Sequence, residues 1–487
     1  MTFIELSLLF LTIFILFRLS SRSPKTYPGT TPYLRPWLPY IGSIGYALAP
    51  QEWMAKMHEK MGDVFTTTIL GQYVTFVKGH KNVMRWAGAT NKELDIGEAY
   101  KKLAGNLIGR DVFEIGASRT MYEAIAPSRL DSIQPALYAF TCKFVSSKLP
   151  SSTEWSSPTD ITPLLVEGTL QLAAWALCGR HLAETHGAEL AENFRVLEND
   201  LSVLGLLLNF PTPAVKRRDQ AKKRAFEIIQ AEFKERIRAI REGEEVDDDF
   251  MSVVLGETVD DELLSSGNDD DIVKAVRKNI LIVYGIIWGA HTNTASSASA
   301  TFCDLLSSPS HISTILSQRG NSDDFIFTEQ THLLRCLTET FRRHSTGTLV
   351  RLASEPFPIS ESGELVAPPG FVLVSPEPYS LSPSTYPDPA SFNPDRYAPS
   401  VFPHALDAVQ SPSVSANAGL LAAWGLGKHA CPGRFLAYRM VGNLVLAILA
   451  GWEVEMVGEP PKWKGLGTGG IDRAEGPVMV RWRKRIN

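Results

Sequence analysis

The most constraining stretch of this chain is Ala423-Trp424-Gly425-Leu426-Gly427-Lys428-His429-Ala430-Cys431-Pro432-Gly433-Arg434. It sets a cysteine at the end of a glycine-punctuated loop, directly ahead of an apolar, helix-compatible run over residues 435–449. Gly425 and Gly427 admit backbone angles closed to other residues, so the loop can fold tightly. Pro432 suits the first turn of a helix. Cys431 therefore stands at a helix N-terminus, where free amides and the macrodipole favour a thiolate over a thiol. Such a sulfur serves as a nucleophile or as a metal ligand. Zinc asks for several ligands, yet no second cysteine or paired histidine stands close by, Cys336 being the nearest other thiol. A lone thiolate of this kind suits an axial bond to haem iron. The plainer alternative is a buried cysteine in a glycine-rich turn.

The loop resembles the haem-binding signature of the cytochrome P-450 superfamily, aromatic-Gly-x-Gly-x-basic-x-Cys-x-Gly. Trp424 stands where phenylalanine is commoner and His429 where arginine is commoner, and both keep the chemistry of a stacking ring and a propionate donor. Glu339-Thr340-Phe341-Arg342 sets an acid and a base three apart, on one face of a helix. Alone, that pattern is a surface ion pair. Within the resemblance it is the family's buried pair, completed by Arg396 of Phe392-Asn393-Pro394-Asp395-Arg396-Tyr397. Glu339 would then accept from Arg342 and Arg396 in a planar geometry that lysine does not supply. Arg351 stands where family members place an arginine against a haem propionate, and His429 would hold the other. The resemblance runs from about residue 25 to the C-terminus. It implies a mainly α fold with small β-sheets, and haem b with Cys431 as the axial iron ligand beside Trp424 and Gly425.

Composition agrees with a globular chain: of 487 residues, 44% are hydrophobic and 21% charged. A net charge of -5 gives no case for nucleic-acid binding. Five cysteines, few and unevenly spaced, do not read as a secreted disulfide framework. Residues 3–17 are apolar apart from Glu5, Ser7 and Thr12, and Arg18, Arg22 and Lys25 follow. The run is short for a full span, but a proline-rich segment rather than a clean cleavage site comes next. The domain reading is an N-terminal membrane anchor over 1–20, a proline-rich hinge over 21–45 and one haem-thiolate catalytic domain over 46–487. The basic flank predicts a single-pass protein of the endoplasmic reticulum membrane with its catalytic domain facing the cytosol.

Along the chain, residues 64–77 alternate around Gly71-Gln72 and predict a β-hairpin. Residues 101–149 read as mainly helical. The family's Trp-x-x-x-Arg propionate contact is missing there; Arg119 and Arg129 are candidate substitutes, set against a reading as solvated surface arginines. Residues 200–210 read as an apolar helix. Over 216–242, Phe226, Ile229, Phe233, Ile237 and Ile240 recur at helical spacing and predict core packing, with Glu232 and Arg236 as an i,i+4 surface pair. Residues 247–271 read as a loop. Residues 272–306 predict one long helix, interrupted in character by Gly289-Ala290-His291-Thr292-Asn293-Thr294.

That knot resembles the family's oxygen-binding helix, where an acid followed by a threonine manages protons. Here Thr292 replaces the acid and Asn293 the threonine, as in the asparagine-bearing helices of the sterol-hydroxylase and prostacyclin-synthase branches. An amide holds water by hydrogen bonding but does not titrate as a carboxylate does. Thr292, Asn293 and Thr294 are thus the candidate catalytic residues, and Ala290, Thr348, Leu349 and Ile471 the candidate substrate pocket. His291 reads as structural or at the pocket edge. The resemblance implies a monooxygenase using O2 and NADPH-derived electrons from a membrane-bound NADPH-cytochrome P-450 reductase, with Lys428 and Arg439 as candidate docking contacts. The phrasing of residues 428–435 and Arg217-Arg218-Asp219 resembles fungal microsomal members of the sterol-related branch. That implies a lipophilic terpenoid or steroid-like natural product of fungal secondary metabolism as substrate. The alternative is a haem-thiolate isomerase or dehydratase acting on a pre-oxygenated substrate.

Overall fold

Long helices carry the architecture, and their starts follow from local cap chemistry. The computed structural model describes residues 27–36, 43, 45–46, 49–110, 112, 123–199, 212–266, 268–319, 326–360, 362–401, 422–426, 429–464 and 470–486. Its helices are α1 (Pro50–Met61), α2 (His80–Gly88), α3 (Ile96–Ile108), α4 (Pro127–Lys148), α5 (Thr162–Asn199), α6 (Pro213–Arg241), α7 (Phe250–Thr258), α8 (Asp261–Ser266), α9 (Asp269–Leu306), α10 (Pro309–Arg319), α11 (Thr331–His344), α12 (Glu377–Ser380) and α13 (Arg434–Gly451). Thr212, Asp249 and Asn268 cap α6, α7 and α9, each side chain accepting from the amide three residues on. The expected fold class, mainly helical with small sheets, is the observed one.

The strands are β1 (Tyr33–Leu34), β2 (Val64–Ile69), β3 (Gln72–Val77), β4 (Thr159–Asp160), β5 (Leu349–Ala353), β6 (Phe357–Pro358), β7 (Val366–Ala367), β8 (Gly370–Val374), β9 (Trp452–Met456), β10 (Lys462–Lys464), β11 (Arg473–Glu475) and β12 (Met479–Lys484). The largest sheet runs β1-β2-β3-β8-β5, with β3 parallel to β8 and β8 antiparallel to β5. The hairpin forms one residue earlier than its sequence pattern indicated. Ile69 pairs with Gln72, so Leu70 and Gly71 make the turn, both at positive φ (49° and 75°). A two-residue turn of this hand needs positive φ at both positions, and glycine supplies it without strain.

The main core gathers around α9 and α13. Helix α9 packs against α5, α6, α11 and α13, and α13 is buried at every residue from Arg434 to Leu449. Among the described residues, α13 alone is long and apolar enough to cross a membrane, but 83% of it is buried inside the protein, as befits a core helix. The expected anchor over 1–20 and the apolar helix over 200–210 lie outside the described residues, as does most of the hinge.

Two sequence expectations give way here. Glu232 and Arg236 are a buried pair, not a surface pair, both about 4% exposed. Arg236 donates to Glu232, to both carboxylate oxygens of Asp249 and to the Cys178 carbonyl. The i,i+4 pattern is the same on either face of a helix; Asp249 from the next element decides which face is inside. The reading of 247–271 as a loop fails for the same reason, since Asp249 caps α7 there. The apolar stripe of α6 does join the main core.

Candidate haem-binding site

The cysteine loop closes on itself. The Cys431 amide donates to the Trp424 carbonyl at 2.6 Å, and Arg434 donates back to the Cys431 carbonyl at 3.1 Å. Gly425 sits at φ +84°, where a Cβ would also come 3.2 Å from the His429 carbonyl oxygen, so glycine is required. Trp424 packs edge-on to Phe341 at 5.0 Å and tilted against Tyr438 at 5.6 Å, which fixes the loop to α11 and α13. Helix α13 starts at Arg434, leaving Cys431, Pro432 and Gly433 as the turn ahead of it.

Electrostatics at the sulfur differ from the sequence argument. Burial pushes the Cys431 thiol up, while the Gly433 and Arg434 amides and the Arg434 guanidinium pull the other way without prevailing. A helix terminus alone does not make the thiolate here; a coordinated cation does that outright. Tyr100 of α3, which the sequence gave no reason to single out, lies within electrostatic reach. Burial first, then Cys431, push its hydroxyl up.

Arg351 of β5 is wholly buried. Its guanidinium donates to the Trp86 carbonyl at 2.7 Å and the Leu426 carbonyl at 3.2 Å, and lies 3.9 Å above the Trp86 ring. Its Nε has no partner, and no carboxylate pairs with it among the described residues. Burial pulls its pKa down to about 10. A buried cation facing the cysteine loop with no anion of its own fits an acidic cofactor edge such as a haem propionate. His429 stands in the same loop, two residues ahead of Cys431.

The structure brings Glu339, Arg342 and Arg396 together. Arg342 donates to both oxygens of Glu339, at 2.9 and 2.8 Å, and Arg396 to one of them at 3.2 Å. The Asn393 amide adds a bond at 3.1 Å. The two guanidiniums also hold the carbonyls of Ser380, Pro387, Asp388 and Pro389, which ties the meander over 380–397 to α11.

On α9, Gly289 and Asn293 are exposed, and the half-buried Ile282 and Ile286 precede them at helical spacing on the same face. Asn293 points at the C-terminal loop: a Cβ on Gly470, itself at φ +112°, would come 2.4 Å from its Oδ1. The Gly347 amide donates to the Gly470 carbonyl and the Asp472 amide to the His344 carbonyl, so residues 345–348 and 470–472 meet beside Asn293. Thr292 and Thr294 instead donate back into the helix, to the carbonyls of Trp288 and Ala290. His291 is buried, 3.3 Å from the Thr169 hydroxyl and edge-on to Phe194, on the side facing α5. Among the pocket candidates, Ala290 is partly covered and Ile471 is 6% exposed. Thr348 is buried with its hydroxyl toward the Met54 sulfur, and Leu349 packs on the sheet-side cluster.

Two assignments find no support. Arg129 donates to the carbonyls of Ala124 and Asp248, which commits it to joining α4 to the start of α7; Arg119 lies outside the described residues. Arg439 is 4% exposed and is held by Asp131 and the Phe435 carbonyl, so it is no surface docking contact, and Lys428 lies outside the described residues.

A thiol in a closed loop and, beside it, a buried arginine with no carboxylate partner among the described residues fit a haem-thiolate protein. The sequence profile of the cytochrome P450 family matches residues 182–480, and the chain belongs to that family. Its cofactor is haem with a cysteine thiolate on the iron, and it is an oxidoreductase of the cytochrome P450 monooxygenase type. A sterol 14-demethylase of Arabidopsis thaliana is 23% identical over 93% of this chain and 91% of its own length. A lanosterol 14-alpha demethylase of Rattus norvegicus is 24% identical over 92% of this chain and 87% of its own length. The solved structure of a retinoic-acid-bound cyanobacterial cytochrome, CYP120A1, superposes with a TM-score of 0.67 at 16% identity, covering 93% of this chain and 99% of that one, and shares the fold.

Proposed function

We propose that this chain oxidises a lipophilic terpenoid or steroid-like molecule, with Cys431 as the axial ligand and Arg351 and His429 holding the haem propionates. The observation that carries the reading is Arg351, a fully buried cation beside the cysteine loop with no carboxylate partner among the described residues. Haem bound this way supplies dioxygen activation for insertion of one oxygen atom into a substrate C–H bond. The chain's own groups do the rest. Ile282, Ile286 and Ala290 give the substrate an apolar wall and exclude water. Asn293 offers an amide donor and acceptor to one ordered water at its exposed position on α9. Glu339, Arg342 and Arg396 hold the segment that leads into the loop. The sterol demethylases among the relatives support the substrate class.

The same reading includes a reductase as electron donor, an anchor over 1–20 and hinge over 21–45 ahead of a catalytic domain over 46–487, and residence on the cytosolic face of the endoplasmic reticulum in fungal secondary metabolism. A second reading, isomerisation or dehydration of a pre-oxygenated substrate, has one observation behind it. Residues 289–294 hold no carboxylate, and both threonine hydroxyls are committed to helix carbonyls. Incubation with a reductase, NADPH, labelled dioxygen and a panel of sterols and terpenoids separates the two by mass spectrometry. A product carrying one labelled oxygen supports the monooxygenase. Turnover without NADPH use and with an unchanged oxygen count overturns it.

A further inference from the structure

Away from the cysteine loop, the described residues contain a second set of metal-ligating side chains. His332 and Cys336 are four apart on α11 and so share one face of that helix. Helix α10 lies against α11 and delivers His311 to the same point. One ligand atom from each residue falls within 4.8 Å of the other two. His311 Nδ1 and His332 Nε2 are 3.1 Å apart. Two nitrogens on one tetrahedral zinc, at bond lengths of about 2.0–2.1 Å, sit about 3.4 Å apart. The histidine pair is therefore already spaced as an edge of that tetrahedron.

We propose that His311, His332 and Cys336 form a binding site for a borderline-soft divalent cation of the zinc type. Two imidazoles and one thiolate are the donor set that such ions select over magnesium or calcium. Three protein ligands leave a fourth position for water. The surroundings suit a site filled from solvent: Cys336 and His332 are buried, whereas His311 is half-buried and gives the ion its way in. Ring positions are restrained, His311 by edge contact with Phe392 at 5.6 Å and the start of α11 by the His332 amide donating to Gln318 at 2.9 Å. Arg335 and Asp395, paired at 3.3 Å, face His332 and Cys336, and Asp304 and Glu339 face Cys336.

Binding would replace the His311–His332 hydrogen bond with two nitrogen–metal bonds, each imidazole carrying its proton on the other nitrogen. Cys336 would give up its thiol proton to form the sulfur–metal bond, so one proton leaves per ion bound and no oxidation occurs. The ion would join α10 to α11, the helix that carries Glu339 and Arg342. The site is independent of haem ligation and of the substrate reading above.

The test uses the full-length haem-loaded protein, stripped with a chelator and titrated with zinc ion against a fluorescent chelator. The expected result is one zinc per haem, a zinc-edge X-ray absorption spectrum with one sulfur and two imidazole scatterers, and one proton released per ion in calorimetry. His311→Ala, at a half-buried position, is expected to weaken zinc binding about 100-fold or more, with the haem spectrum unchanged. Cys336→Ala is expected to abolish the proton release. Stoichiometric zinc retained by His311→Ala, a zinc edge without sulfur, or no uptake at micromolar free zinc each overturns the proposal.

Discussion

Replacing Glu339 with Gln tests whether its carboxylate holds the approach to the cysteine loop together. The carboxylate is fully buried and accepts four hydrogen bonds, three from the guanidiniums of Arg342 and Arg396 and one from the Asn393 amide. Gln keeps the shape but removes the negative charge and turns one acceptor into a donor facing Arg342. Both arginines keep backbone acceptors, so their hydrogen bonds partly survive while their charge goes uncompensated. Breaking a buried pair from one side costs about 3–5 kcal/mol. For a chain of this length the unfolding entropy is about 1 kcal/mol per kelvin, so the melting temperature should fall by about 3–5 °C. Thermal melts followed by circular dichroism and by haem absorbance give the measurement. Arg342→Lys, which keeps the charge but loses the two-pronged geometry, should fall between wild type and Glu339→Gln. A Glu339→Gln protein that melts with wild type and retains haem equally would refute the reasoning.

Cys431→Ser should lose the thiolate-specific absorption band of the reduced carbon monoxide complex; retention of that band would remove Cys431 as the ligand. Gly425→Ala, forced to φ +84° against the His429 carbonyl, should cost about 1–3 kcal/mol and lower haem occupancy after purification. Asn293→Ala should leave NADPH consumption in place but reduce product per NADPH, and Gly470→Ala, which crowds the same amide, should do so in the same direction. Asp304 joins α9 to α11 through Thr340, Arg343 and His344. Burial raises its pKa, but His344 and then Arg343 bring it net below 3.8. A depressed carboxylate stabilises the fold above its unfolded value and loses that contribution as acid protonates it. Asp304→Asn should therefore be less stable than wild type at neutral pH, and urea melts of the two should converge below about pH 3.8.

Features that rest on residue type and short spacing were legible in the chain. Gly425 and Cys431 fix the loop because no other residue tolerates that turn and few supply that ligand. Glu339, Arg342 and Arg396 were readable because the motif around Arg396 gave the acid a second base. What could not be read is which face of a helix turns inward and what covers it. Glu232 and Arg236 have the spacing of a surface pair and become a buried one only because Asp249 and the Cys178 carbonyl arrive from other elements. Arg439 looked free for the same reason, until Asp131 of α4 is placed beside it.

Cys431 shows the same limit in electrostatic form, and it bears on function. Sequence places the sulfur near amides, which argues for a thiolate, but burial is a property of the whole fold and it prevails. A fold that raises this thiol and gives Arg351 no carboxylate partner among the described residues leaves two groups at the loop at a cost. An iron porphyrin would relieve both at once: Cys431 would give up its proton to hold the metal, and Arg351 would pair with a cofactor carboxylate. Arg351→Leu should accordingly make the cofactor-free protein more stable while weakening haem retention, two effects of opposite sign from one substitution. Cofactor-free Arg351→Leu protein that melts below wild type would show that the arginine serves packing against Trp86 instead.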